Sequence, residues 1–289
     1  MKAKIIALMN LKGGVGKTAT QTSVSHILAT VYKKKVLMID MDPQGNTSSM
    51  FCSLDIDTRD RLQRLLVNGE IHPQENSMSK LMMNPKMDIY KCIRHTEYEN
   101  LDVIPSDLEL SVVENMLRAD ASMPQQFRLK NHLEKIRNDY DYIFIDCSPS
   151  VGLLNVNALA TADEVYIPIR TDLNSIEGLA YARNLVDTVS TYNQNLKLRG
   201  CFFVAWEGRM EASKYLYSLL EEFIPDLLLP IKIAKSKYLS ENTIFQQPLY
   251  AIDHGKNMSK ATKGYLQLAE YIMAENKEGY LESIKDELL

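Results

Sequence analysis

The stretch LKGGVGKT, residues 11–18, decides how the rest of the chain is read. It follows a short apolar run, IIALM at 5–9, and precedes a segment, 18–32, in which Val24, Ile27, Leu28 and Val31 recur at helical spacing. Strand, glycine loop and helix in that order make a cradle for an anion, because backbone N–H groups and the positive end of the helix dipole converge on one point. Gly13, Gly14 and Gly16 let the backbone approach phosphate oxygens with no Cβ in the way. Lys17 is placed to neutralise the β and γ phosphates, and Thr18 to give its hydroxyl to Mg²⁺. The expected nucleotide-contacting set is Lys12, Gly13, Gly14, Val15, Gly16, Lys17, Thr18 and Ala19. In the usual phosphate loop, G-x-x-x-x-G-K-[ST], the first position is glycine; here it is Leu11, and an additional lysine, Lys12, follows. Lys12 has no role inside its own cradle, which Lys17 already serves; it is either solvated or reaches a nucleotide held by a second subunit.

Outward from the loop, apolar β-branched runs recur at 36–39, 101–104, 142–145, 165–169 and 201–205, with a weaker one at 227–233. Helical patterns lie between them, such as Leu179, Ala182, Leu185, Val186 and Val189. The last helix, about 259–275, carries Ala261, Tyr265, Leu268 and Ile272 on one face and is followed by a polar, Glu-rich tail. Short continuous apolar strands alternating with amphipathic helices predict an α/β fold, a doubly wound and mostly parallel sheet with helices on both faces. The 289 residues are read as one domain, with 55–98 as an excursion from the sheet marked by turns at His72-Pro73 and Asn84-Pro85.

The formal net charge of −4 excludes a uniformly basic nucleic-acid binder, so any nucleic-acid contact is a local patch. Cys52, Cys92, Cys147 and Cys201 lie at least 40 residues apart without C-x-x-C pairs, which predicts free buried thiols in a reducing compartment. The first apolar run is broken by Asn10 and Lys12, far short of a signal core or membrane span, and a cytoplasmic protein is expected.

Two further stations carry carboxylates. VLMIDMDPQGNTS, 36–48, sets Asp40 and Asp42 at the carboxyl end of the second strand, where open α/β sheets gather their ligands. Asp40 either helps organise Mg²⁺ through water or caps the following turn. YDYIFIDCSPS, 140–150, ends a strand in Asp146, the pattern of a carboxylate that holds a Mg²⁺ shell. With Lys17, Thr18 and Asp42 it completes the parts of a Mg-nucleotide site.

KGGVGKT, 12–18, resembles the deviant Walker A motif of the ParA/MinD family of ATPases, and Asp42 to Asn46, DPQGN, matches that family's second motif. The tract following Asp146, together with NLDVIPSDLEL (100–110), SIEGL (175–179) and YLSENTIFQQPL (238–249), is similar to ParA segments in the same order. The resemblance covers most of the chain and is poorest over 55–98. It implies ATP or ADP and Mg²⁺ as cofactors, with Lys12 crossing a dimer interface to the partner's nucleotide. It also implies catalytic roles for Lys12, Lys17 and Asp42, the last positioning or activating the attacking water in a nucleotide-sensing switch. Thr18, Asp146 and Asp40 make up the implied metal set. Ala19 stands where the family has a second threonine, which removes one hydroxyl and leaves Thr18.

Within the family, an acidic C-terminus, ENKEGYLESIKDELL, speaks against a basic membrane helix of the MinD kind. Cys147 has no second cysteine for a bridging cluster, and Tyr265, Tyr271 and Tyr280 are too scattered for a tyrosine-kinase tail. What remains is a Soj-like DNA-partition ATPase whose chain is expected to start at its first strand, with no N-terminal helix-turn-helix. The resemblance implies slow Mg-dependent hydrolysis, a homodimer in the ATP state, nonspecific DNA binding on the nucleoid, a ParB-like adaptor and no membrane. Arg209 in WEGRMEASK and Lys232, Lys235 and Lys237 in IKIAKSKY are the candidate phosphate contacts. Lys235 and Tyr238 replace family arginines there, losing the bidentate fork. The alternative is a MinD-like or cargo-positioning ATPase acting on a protein or membrane surface.

Overall fold

A computed structural model describes residues 2–52, 63–68, 75–120, 123–239, 246–254 and 258–284. Among them one sheet is built from β1 (Lys4–Leu8), β2 (Val36–Met41), β3 (Arg94–His95), β4 (Leu101–Ile104), β5 (Tyr142–Cys147), β6 (Glu164–Ile169), β7 (Lys197–Trp206) and β8 (Leu228–Ala234). The strand order is β3-β4-β2-β5-β1-β6-β7-β8, parallel throughout except for β3, a two-residue antiparallel edge that its sequence does not announce. The helices are α1 (Lys17–Thr30), α2 (Asn46–Phe51), α3 (Met78–Met83), α4 (Leu110–Ala119), α5 (Arg128–Leu133), α6 (Leu153–Thr161), α7 (Leu173–Ser190), α8 (Glu211–Phe223), α9 (Leu249–Ile252), α10 (Lys260–Met273) and α11 (Lys277–Ser283). This is the expected doubly wound, mostly parallel α/β fold.

The strands read as unbroken apolar runs because both faces are covered. Along β1, Ile5 and Ala7 enter a core with Leu81, Leu117, Leu133 and Leu159 from α3 to α6. Ile6 and Leu8 enter the opposite core, against Val24 and Leu28 of α1 and Tyr265 and Leu268 of α10. Each fully buried Ile or Leu contributes roughly 1.5–3 kcal/mol over its exposed state. A charge introduced on either side of β1 would therefore have no solvated face to turn to.

Two regions differ from their sequence reading. Within the Glu-rich stretch expected as a tail, Lys277–Ser283 form α11, and 285–289 lie outside the described residues: the Asn276 side chain accepts from Gly279 N at 3.0 Å, and Tyr280 and Leu281 pack on the second core. Within 75–98, Met78, Leu81, Met82, Ile89 and Cys92 are fully buried on the first core, so Met78 and Met82 are packing residues, while Met83 is exposed. The Asn84-Pro85 turn is present, closed by Met87 N donating to Asn84 O at 3.0 Å. Residues 55–62 and 69–74, with the His72-Pro73 turn, lie outside the described residues, as do 240–245 of the YLSENTIFQQPL segment. All four cysteines are free; Cys92, Cys147 and Cys201 are buried and Cys52 is half-buried. No helix among the described residues is long and apolar enough to cross a membrane.

Candidate functional site

β1 is flanked by β5 and β6, so the loop leaving its carboxyl end sits mid-sheet over the ends of both neighbours. Gly14 and Gly16 have φ of 73° and 89°, the left-handed region that glycine enters without strain. A Cβ on Gly16 would stand 2.8 Å from Val204 Cγ1, whereas one on Gly13 or Gly14 would meet nothing within 4 Å. The loop is thus pressed against β7 at its end and open above its middle. Asn10, fully buried, pins its start: Nδ2 donates to Pro168 O at 2.9 Å and to Ser175 O at 3.3 Å, while Oδ1 accepts from Lys12 N at 2.9 Å. A Cβ on Gly178 would lie 2.1 Å from Asn10 Oδ1, which gives the SIEGL segment a physical purpose: α7 must come this close to brace the loop.

Lys17 is buried, its Nζ donating to Asn10 O at 3.0 Å and Lys12 O at 3.2 Å. Burial lowers its pKa, opposed by the nearby Asp146 charge. Thr18 Oγ1 donates to Asp146 Oδ2 at 2.6 Å, and Asp146 Oδ1 is buried without a hydrogen-bond partner. Register sets Asp40 on β2 directly beside Asp146 on β5. Burial raises the pKa of both, and the Asp40 charge raises Asp146 further. Two adjacent carboxylates out of water, one with an unpartnered oxygen, call for a cation. A threonine hydroxyl and a carboxylate are the hard oxygen donors that Mg²⁺ takes alongside phosphate and water. The residues present therefore fit that metal.

Asp40 is engaged by protein donors: Ser48 N and Oγ donate to its Oδ2 at 2.9 and 2.6 Å, and Asp42 N to its Oδ1 at 3.2 Å. It holds the first turn of α2, the capping geometry the sequence left open. Asp42 is half-buried at the start of the same loop, its Oδ1 accepting from Gln44 N at 3.0 Å. Lys12 is exposed, and its ammonium has no hydrogen bond or ion pair among the described residues. The structure thus brings Lys17, Thr18, Asp40, Asp42 and Asp146 together and leaves Lys12 on the rim. Val15 is buried beneath the loop, and Ala19 is half-buried in the first turn of α1.

Of the four basic candidates farther out, Arg209 and Lys232 line a cleft of about 1050 Å³, joined by Lys260 and Lys263 of α10, which sequence reasoning missed. Lys232 Nζ lies 3.9 Å from the Tyr217 ring centroid, Lys235 pairs with Glu207 at 2.9 Å, and Lys237 sits 5.1 Å from the Tyr238 ring centroid. Near the loop, Asn10, Gln21, Thr47, Ser48 and Arg170 were also missed. The available signal was polarity in the wrong place, as with Gln21 on the buried face of α1.

A phosphate loop of this form on a parallel sheet, with paired carboxylates at neighbouring strand ends, defines a P-loop nucleoside-triphosphatase. A family profile described as an AAA domain matches residues 3–198, and the chain belongs to that family as a ParA-type ATPase. It is 32% identical over 272 residues to the sporulation initiation inhibitor protein Soj of Bacillus subtilis, covering 94% of this chain and 98% of that one. It is 31% identical to the chromosome partitioning protein ParA of Myxococcus xanthus, over 93% and 88% of the two chains. Among solved structures it is similar to a plasmid partition protein from Borrelia burgdorferi bound to AMPPNP, with a TM-score of 0.71, 25% identity and coverage of 93% and 98%. The ATP complex of a Cyanothece McdA variant shares the fold at a TM-score of 0.76 and 21% identity, over 93% and 96%.

Proposed function

We propose that this chain is a DNA-partition ATPase that binds Mg-ATP on the 12–19 loop, closes face to face as a homodimer in the ATP state, and hydrolyses ATP slowly. The observation that carries this reading is the Thr18–Asp146 hydrogen bond beside Lys17, with the other Asp146 carboxylate oxygen buried and unpartnered. Lys17 and the amides of Gly13, Gly14 and Gly16 hold the phosphates, and Thr18 and Asp146 hold the metal. When bound, Mg²⁺ neutralises charge on the β and γ phosphates. Asp42 orients the attacking water, and Asp40 supports the Asp42 loop through Ser48 rather than touching the metal. Lys12, exposed and unpaired, reaches the partner's nucleotide. In the ATP state the dimer binds DNA nonspecifically through the basic cleft, and a ParB-like adaptor stimulates hydrolysis. The relatives named chromosome and plasmid partition proteins support the biological setting.

The test is a gel shift of random-sequence duplex with and without ATP, beside sizing chromatography of wild type, Asp42→Ala and Lys12→Ala. Asp42→Ala is expected to bind nucleotide, stay dimeric with ATP and retain DNA; Lys12→Ala is expected to bind nucleotide and stay monomeric. An ATP-independent shift overturns the ATP-switched DNA binding, and ATP-dependent sedimentation with anionic liposomes and none with DNA overturns the partition reading in favour of a surface-positioning ATPase.

A further inference from the structure

Arg170 follows β6, the strand beside β1, and enters the space over the phosphate loop from the side opposite Asp42 and Asp146. Its backbone is fixed at both ends. Arg170 N donates to Ser175 Oγ at 2.8 Å, Ser175 N donates to Asp172 Oδ1 at 2.8 Å, and the flanking Pro168 and Ser175 carbonyls both accept from Asn10 Nδ2. The side chain is exposed, and its Nη1 lies 3.4 Å from Gly14 O. No carboxylate pairs with it among the described residues. The guanidinium therefore stands at the edge of the open region above Gly13 and Gly14, where a Cβ would meet nothing within 4 Å. A planar, permanently charged donor fork held beside an anion cradle, with no anion of its own chain to satisfy it, matches phosphate oxygens.

We infer that Arg170 is a second own-chain cation of the nucleotide site, contacting the phosphates of the nucleotide bound to its own loop. This rests on the Mg-nucleotide reading of the 12–19 loop. Lys17 neutralises from beneath the loop and Arg170 from its rim, so the site's positive charge does not depend on Lys12, which is left free to act across the dimer.

Calorimetric titration of Mg-ADP, the state proposed to be monomeric, and then of Mg-ATP tests this on wild type, Arg170→Ala, Arg170→Gln and Arg170→Lys. Loss of a charge-assisted contact predicts about tenfold weaker binding for Ala and Gln, and Lys within about threefold of wild type. The salt dependence of binding is expected to flatten in Ala and Gln alone. Melting temperatures without nucleotide should be unchanged, since the side chain is exposed. If Gln binds as wild type does, Arg170 only donates to the Gly14 carbonyl and the inference is wrong; equal affinities in all four proteins overturn it as well. Wild type that binds no Mg-ADP or Mg-ATP overturns the nucleotide reading itself.

Discussion

The Thr47 hydroxyl donates to Gln21 Oε1 at 2.7 Å, joining α2 to α1 between two side chains with no solvent exposure. Gln21 Nε2 donates to Ile39 O of β2 and Phe144 O of β5, each at 3.1 Å. With both amide hydrogens committed, the oxygen must accept, so the single Thr47 proton goes to Gln21 although Asp146 Oδ2 lies 3.4 Å away. The base of the Asp42 loop is thereby tied to the helix that begins at the phosphate cradle.

Breaking that tie is expected to separate hydrolysis from binding. Thr47→Val or Gln21→Leu leaves buried polar groups unsatisfied, at about 1–3 kcal/mol each, which lowers the melting temperature by several degrees. Nucleotide affinity should stay within about threefold while the hydrolysis rate falls about tenfold, and Thr47→Ser should recover most of that rate. A Thr47→Ser protein as slow as Thr47→Val would show that the hydroxyl does not position the loop.

Gly178→Ala tests the brace on the other side of the loop. Its Cβ would fall 2.1 Å from Asn10 Oδ1, displacing the group that holds Lys12 N. Nucleotide binding should drop by at least about tenfold, from backbone displacement that the buried site cannot absorb. Gly13→Ala is the contrast: nothing lies within 4 Å of its Cβ, so the melting temperature should not move, but the methyl would occupy the phosphate side. Equal affinities for wild type and Gly178→Ala in a titration would show that α7 does not brace the loop.

Burial holds His26 and His132 down to about 4. Between that value and the ordinary 6.5 the unfolded chain binds more protons than the folded one, so these groups contribute stability above pH 6.5 that is lost as pH falls towards 4. The full shift corresponds to roughly 3 kcal/mol for each histidine at 1.36 kcal/mol per pH unit. Asp40 and Asp146, raised by burial, act in the opposite sense in part of that window. The informative quantity is therefore the difference between wild type and His132→Asn in melting temperature across roughly pH 7 to 4.5. That difference should shrink as the pH is lowered; a constant difference would rule out the histidine.

The sheet, the loop and the two aspartate stations were legible in the sequence because each is a local pattern: an apolar run, a glycine spacing, an acid at a strand end. Asn10, Gln21, Thr47 and Arg170 were not, because their roles depend on partners far away in the chain, such as Pro168, Phe144 and Gly14. Asp40 and Asp42 show the same boundary within one motif. Spacing alone cannot tell that Asp40 turns inward to Ser48 while Asp42 stays half-exposed. The C-terminal helix α11 was hidden for another reason: its Glu-rich composition reads as solvated, whereas Tyr280 and Leu281 pack on the second core and Lys277 Nζ donates to Tyr271 O at 2.7 Å.

The basic cleft carries the last prediction. Arg209, Lys260 and Lys263 are exposed and line one surface, whereas the Lys235 charge is already taken up by Glu207 at 2.9 Å. Nonspecific affinity for duplex DNA scales with the number of phosphates neutralised, and each contact adds about 0.9 to the slope of log affinity against log salt. Replacing Arg209, Lys260 and Lys263 together by Ala should therefore flatten the slope by about 2–3 and weaken binding at low salt by more than about tenfold, with nucleotide binding unchanged. Lys235→Ala alone should cost less than about twofold, because it removes a charge that a carboxylate already faces. Fluorescence anisotropy with a labelled random duplex, read from about 50 to 200 mM salt in ATP, measures both. A salt slope and affinity unchanged from wild type in the triple variant, together with a large loss in Lys235→Ala, would move the DNA surface to the loop after β8.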